Sequence, residues 1–230
     1  MKFTEHKLEM TFIDQFKKLG YEYVHGENFP RDSNQEVLLK DDLRAFLLNR
    51  YSDLDEVEIE SIINELAFLP TSDLYESNRK INQLLADGFI FKRNDPDKKD
   101  LHIRYIDNDP KTLLKTNRLK VVNQLEIMGT HLRIPDAILY INGIPVVVLE
   151  FKTLIEERVN IYDAWKQLTI RYGRDIPELF KYNAFCVISD GLNNKSGTLF
   201  SPYEFYYGWH KITGFEEKAY SGLDTMRSIL

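Results

Sequence analysis

The sequence predicts an α/β fold with a helix-rich N-terminal part and a mixed central sheet flanked by helices. Three observations carry this. Apolar residues recur with a helical period through roughly the first 90 positions. Beyond residue 100 the pattern shifts to short apolar runs bounded by turn residues, as strands require. Helical spacing then returns between two such runs, at 161–171, so strands and helices alternate. One domain is expected over 1–230, with a helix-rich part at 1–95, a sheet core at 96–210 and a C-terminal segment at 211–230.

In chain order, Leu8, Phe12, Ile13, Phe16 and Leu19 form one apolar stripe that Gly20 ends. Ser33 to Glu36 has the form of a capping box, predicting a helix that carries Val37, Leu38, Leu43, Phe46, Leu47 and Tyr51. Two further helices are expected, over Val57 to Leu69 and Asp73 to Ala86, the second closed by Asp87-Gly88. Leu101 to Ile106 alternates as a half-buried strand, and Leu119 to Ile127 is a second strand candidate. Ala137 to Ile141 and Val146 to Phe151 flank Asn142-Gly143, a strong hairpin signal. Ile161, Trp165, Leu168 and Tyr172 mark a helix, and Ala184 to Ser189 a last buried strand.

A hydrophobic content of 43% with 29% charged residues fits an ordinary water-soluble globular domain. No apolar run approaches the ~20 residues that cross a bilayer, so no membrane partner is expected. The single cysteine, Cys186, excludes an internal disulfide and a zinc ribbon and suits a reducing, cytoplasmic location. A net charge of −6 is not that of a protein that simply coats DNA. The charge is uneven, however: 53–76 holds eight acidic residues and no Lys or Arg, while 92–120 holds nine Lys or Arg against five Asp. No phosphate-binding glycine loop occurs, so no ATP site is expected in these residues.

An acidic residue two places before a lysine occurs five times, so that pattern alone means little. Only Glu150 and Lys152 interrupt an apolar strand, where ionised groups are costly unless paired or bound to metal. A period of two puts both on one face. Asp136 sits where the partner strand of the hairpin begins, and the hairpin returns it alongside Glu150. Two carboxylates about 4 Å apart repel by about 4 kcal/mol at an effective dielectric of 20. A divalent cation offsets this, and hard oxygen donors favour Mg²⁺. Asp136 and Glu150 are the expected metal ligands, with Lys152 the third catalytic group.

Register adds a condition. A two-residue turn at Asn142-Gly143 in unbulged strands would set Asp136 opposite Leu149 and put Glu150 on the wrong face. Either a three-residue loop or a bulge at Pro145 is therefore required.

The run from Arg133 through Pro135-Asp136, Asn142-Gly143-Ile144-Pro145 and Glu150-Phe151-Lys152 resembles the catalytic hairpin of type I restriction subunits, whose nuclease belongs to the PD-(D/E)xK superfamily. Ile134, between Arg133 and Pro135, is a small departure. The resemblance extends through Asn123-Gln124, Gln167-Leu168, 175–180 and 185–191, covering most of 118–210. It implies a restriction-endonuclease-like core and a Gln-x-x-x-Tyr motif on the helix after the catalytic strand. Here Gln167 and Tyr172 are one residue too far apart, and Arg171 is the i, i+4 partner of Gln167. Gln167 is the stronger candidate, with Tyr172 and Arg171 as alternatives. The resemblance also implies an acidic residue on the first helix near the metal; Glu36 is a candidate, although the capping box accounts for it and is preferred. His131, just before the hairpin, reads as a loop histidine that could touch DNA.

What the resemblance implies functionally is a Mg²⁺-dependent endonuclease acting on double-stranded DNA, in complex with methyltransferase and specificity subunits. ATP would enter only through a motor that follows the nuclease in such subunits, so the chain looks like a fragment. Two alternatives stand beside this: a standalone nuclease of the same fold, or a subunit-docking lobe with an idle site.

Overall fold

A computed structural model describes residues 5–152 and 160–208. The predicted segment 211–230 lies outside the described residues. The chain begins with α1 (Glu5–Lys18), whose stripe of Leu8, Phe12, Ile13 and Phe16 is buried as its spacing predicts. Gly20, at φ +92°, turns the chain into β1 (Glu22–His25). This strand falls within the part expected to be helical. Four residues are too few to show a period, and its partner is about a hundred positions away: β1 pairs in parallel with β4 (Leu119–Asn123).

The helices α2 (Lys40–Arg50), α3 (Glu56–Ala67) and α4 (Leu74–Asp87) follow. The last two agree with prediction. Asp55 and Glu58 form a full capping box for α3, and Gly88, at φ +73°, ends α4.

The capping box expected at Ser33 is corrected by the structure. Ser33 Oγ accepts from Gln35 N at 3.2 Å and Glu36 Oε2 accepts from Asp32 N at 3.3 Å, so these side chains close a local turn. The helix starts only at Lys40, and Leu39, its N-cap, offers no side-chain bond. Val37, Leu38 and Leu39 are all buried, and three successive inward residues cannot share one helical stripe.

A small sheet of β2 (Phe89–Phe91) and β3 (Leu101–Ile103) stands apart from the main one, and the short α5 (Leu113–Thr116) leads into β4. The strand expected over Leu119 to Ile127 is broken at Gln124, which has a φ of +51°. Beyond it lies the ribbon of β5 (Ile127–Met128) and β6 (Leu132–Arg133). Then come β7 (Ala137–Ile141) and β8 (Ile144–Phe151), all eight of whose residues are buried. After α6 (Ile161–Lys166) the chain makes a π-helical turn, Gln167–Tyr172, and continues through α7 (Gly173–Asp175) and α8 (Pro177–Phe180). Strands β9 (Phe185–Ser189), β10 (Asn194–Gly197) and β11 (Tyr207–Gly208) complete a seven-stranded sheet in the order β1-β4-β7-β8-β9-β10-β11. Pairs β1–β4 and β8–β9 are parallel and the others antiparallel, so the sheet is mixed and flanked by helices. This is consistent with a PD-(D/E)xK-like nuclease core.

No helix of the described residues is long and apolar enough to cross a membrane.

Candidate active site

The hairpin turn positions the site. Asn142 and Gly143 both have positive φ, +51° and +80°, as a two-residue type I′ turn needs. Asn142 is fully buried. Its Oδ1 accepts from Arg118 N at 2.7 Å, and its Nδ2 donates to Tyr105 O and Asn117 Oδ1. A Cβ on Gly143 would lie 2.2 Å from Leu39 O. Any other residue would therefore be excluded by contact as well as by φ.

The turn alone would give the wrong register, and the strands correct it. Ile141 faces Ile144 and Tyr140 faces Pro145, but Leu139 faces Val147 and Ala137 faces Leu149. Val146 is the extra residue of a β-bulge. With the shift, Asp136, next beyond Ala137, comes opposite Glu150, the parity required of two carboxylates sharing a site.

At the end of β8, Glu150 is fully buried. Its Oε1 accepts from Lys152 Nζ at 3.0 Å, while Oε2 has no partner among the described residues. Asp136 Oδ2 accepts from Phe151 N at 2.7 Å, which fastens the two strand ends together. Lys152 N donates to Ser189 O at 2.8 Å, holding the lysine beside β9.

Burial pushes the Asp136 carboxyl up to about 7, reinforced by Glu9 and Glu5 and opposed by the Phe151 N–H and Lys152. Burial, and then the Asp136 charge, raise Glu150 well above the usual carboxylate range. Burial also works against the Lys152 ammonium, yet Glu150, Asp136 and Glu5 hold its pKa above the ordinary lysine value. The cluster therefore holds more carboxyl groups than its one lysine can keep ionised.

The one-residue excess between Gln167 and Tyr172 is absorbed by the π turn. In an α-helix, residues five apart would point roughly 140° apart. In a π-helix the i to i+5 bond closes the turn. Gln167 Nε2 donates to Tyr172 OH at 2.7 Å, and Tyr172 OH donates to Ile134 O at 3.1 Å. The Tyr172 hydroxyl is raised by burial and then by the charge of Glu150, which places it near the carboxylates. Arg171, the alternative partner, is exposed on another face of the helix.

Glu36 is not brought to this cluster; it lies in the turn before α2. The acidic residue that α1 presents is Glu9. It is 4% exposed and accepts from Asn123 Nδ2 at 2.6 Å and Gln124 Nε2 at 3.1 Å. Glu5, one turn earlier, lies 4.0 Å from Lys152 Nζ, and Phe12 stacks on Phe151 at 4.8 Å. Sequence reading missed Glu9. Its signal was a glutamate three and seven residues before Phe12 and Phe16, on the buried face. His131 is exposed, with Nδ1 3.5 Å from Asp175.

A divalent cation fits these residues. The unpartnered, buried Glu150 Oε2 and the raised carboxyl of Asp136 are hard oxygen donors in a place where ionisation is otherwise disfavoured. No group of three or more metal-binding side chains lies close enough to hold an ion among the described residues. Asp136 and Glu150 would therefore need water and phosphate oxygens to complete a Mg²⁺ shell.

Residues 2–205 match the family model described as type I restriction enzyme R protein N terminus. The chain belongs to that family. Among curated relatives, the endonuclease subunit of the type I restriction enzyme HindI from Haemophilus influenzae is 29% identical over 90% of this chain. A putative type I endonuclease subunit, MjaIXP, from Methanocaldococcus jannaschii is 26% identical over the same share. In both cases the chain spans 20% of the relative's length. The EcoprrI endonuclease subunit of Escherichia coli is 28% identical, over 84% of this chain and 58% of the relative. The matched region thus covers the described structure from α1 to β10, with β11 just beyond it.

Proposed function

We propose that this R-protein N-terminal region is a Mg²⁺-dependent endonuclease that hydrolyses phosphodiester bonds of double-stranded DNA. The observation that carries the reading is the bulge-corrected pairing of Asp136 with Glu150, beside Lys152 and with Glu150 Oε2 left open. The names of the relatives, type I endonuclease subunits, support it.

Asp136 and Glu150 would hold the cation. When bound, it supplies Lewis-acid stabilisation of the charge that builds on the scissile phosphate. Water adds to phosphorus as the bond to the leaving sugar oxygen breaks. Lys152, a point charge with three donors, is placed to orient that water or to donate to a phosphate oxygen in the transition state. Gln167 and Tyr172 hold the backbone before Asp136. The region would work within a larger assembly with methyltransferase and specificity subunits. ATP would act only through a motor outside these residues.

The test is DNA cleavage by the complete multisubunit enzyme carrying Asp136→Ala. Several kcal/mol of transition-state stabilisation go with the metal, so cleavage should fall by at least about 10³-fold. ATP hydrolysis should persist. Undiminished cleavage would sink the reading.

A further inference from the structure

The stretch 130–134 that leads into Asp136 is fastened chiefly to the chain at and just after the π turn, while Asp136 itself also accepts from Gln124 N at 3.3 Å and from Phe151 N at 2.7 Å. Thr130 N donates to Asp175 O at 2.8 Å, Arg133 Nε donates to Asp175 Oδ2 at 2.7 Å, and Ile134 O accepts from Tyr172 OH at 3.1 Å. Arg133 Nη2 makes a second bond to the same Asp175 oxygen. These attachments lead to Tyr172, which ends the π turn, and to Asp175, three residues on. The approach is close: a Cβ on Gly129 would lie 2.0 Å from Asp175 O.

Asp175 is fully buried, and its pKa is held well below the usual carboxylate range, by Arg174 first and then by Arg133. Arg174 Nε lies 2.7 Å from Asp175 Oδ1, so the buried charge already has a partner without Arg133. The ribbon that Arg133 belongs to has strands of two residues each, and Leu132 and Ile134 are 39% and 38% exposed. Apolar packing therefore does little to place its last strand, and polar attachment must. A planar fork with two N–H groups on one carboxylate is the side chain that fixes direction as well as distance.

We propose that Arg133, through Asp175, is a positioning residue for the carboxylate of Asp136 and sets how tightly the site holds its divalent ion. The inference rests on the reading of Asp136 and Glu150 as metal ligands. Arg133 touches neither ligand. It anchors the strand end three residues before Asp136, so that Asp136 stays opposite Glu150 instead of drifting with an exposed ribbon.

Mn²⁺ binding by this 230-residue chain, followed by the paramagnetic signal of the free ion, tests it. Outer-shell partners of metal ligands typically change metal affinity by about 10–100-fold. Arg133→Gln should therefore raise the half-saturating Mn²⁺ concentration by about tenfold, with the circular dichroism of the metal-free chain unchanged. Arg133→Lys should fall between, since it keeps the charge and loses the fork. Asp175→Asn should act in the same direction, and the double variant Arg133→Gln/Asp175→Asn should be no weaker than the poorer single one. In the complete enzyme, excess divalent ion should restore cleavage to Arg133→Gln, which a merely structural defect would not allow.

Mn²⁺ affinity within twofold of the parent in Arg133→Gln overturns the inference. If that variant does not fold, the same result in Arg133→Lys overturns it. Asp136→Ala separates the two levels. Mn²⁺ binding that survives Asp136→Ala removes the metal site itself. Binding that is lost there yet unchanged in the Arg133 variants removes only the positioning role.

Discussion

Lys181 and Lys152 are both ammonium groups taken largely out of water, at 2% and 12% side-chain exposure, and the two are held in contrasting ways. Lys181 reaches the C-terminal end of α3, where Nζ donates to Ala67 O at 2.8 Å and Leu69 O at 3.2 Å, and it also pairs with Glu178. Every donor it carries has an acceptor, and the carbonyls it meets are the ones a helix end leaves open. Among the described residues Lys152 has Glu150 alone within hydrogen-bond distance of its ammonium. A second carboxylate lies close by, and one buried oxygen has no partner among those residues. Buried charge that holds the fold is fully matched. At the strand end two buried carboxyl groups share one lysine, the arrangement that the proposed cation would complete.

The sharpest way to break the comparison is Lys152→Ala. If Lys152 acts on the reacting phosphate, its loss should lower cleavage by the complete enzyme by about 10²–10³-fold, the scale of losing one transition-state donor. Metal binding by the chain should be at least as tight as before, because a positive charge next to Glu150 has gone. A parallel loss of metal affinity would mean that Lys152 only shapes the carboxylates.

The pH dependence of stability comes next in size. Folding raises Asp136 to about 7, so the folded chain binds a proton there that the unfolded chain has lost. The stability this confers is complete below about pH 4 and is lost as pH rises to about 7. Asp107, held down to about 2 by Thr112 and Thr116, has the opposite sign but acts below that window. Thermal melts of the metal-free chain should therefore show falling stability between about pH 4 and 7. Asp136→Asn, which can still accept from Phe151 N, should remove much of that slope. It should raise the midpoint above pH 7 by roughly 4–8 °C, corresponding to about 2 kcal/mol in a domain of this size. Mg²⁺ should stabilise the parent chain at pH 8 and not the variant. A parent melting curve that is flat across this range would contradict the claim that these carboxylates are strained in the absence of metal.

The geometry of the candidate site was largely legible because its constraints are local and discrete. An apolar strand ending in Glu150 and Lys152, a hairpin turn and a period of two force the choice between a three-residue loop, a bulge, expected at Pro145, and a failed site. The bulge is at Val146. The same counting exposed the extra residue between Gln167 and Tyr172, but a period of 3.6 could not foresee that a π turn would absorb it. What sequence could not show depends on distant partners. Strand β1 exists because β4 offers it an edge, and Glu9 matters because Asn123 and Gln124, more than a hundred residues on, receive it. The late start of α2 is a third case. Ser33 and Glu36 have capping chemistry, yet the core takes Val37, Leu38 and Leu39 together and postpones the helix.

The smallest expected effect lies on the matched side of the comparison. Lys181→Met roughly keeps the length of the side chain, and removes the charge, the ammonium's contact over the Tyr182 ring and all three donors. It leaves two α3-end carbonyls without their buried partner and Glu178 without its lysine. Unsatisfied buried acceptors cost about 1–3 kcal/mol, so the melting midpoint should fall by roughly 2–10 °C. Because nothing at this junction is held short of a partner, that loss should be the same with and without divalent ion, and Mn²⁺ affinity should not move. If Lys181→Met weakened Mn²⁺ binding as Arg133→Gln is expected to, the division between charge that builds the fold and charge that awaits a cation would be wrong.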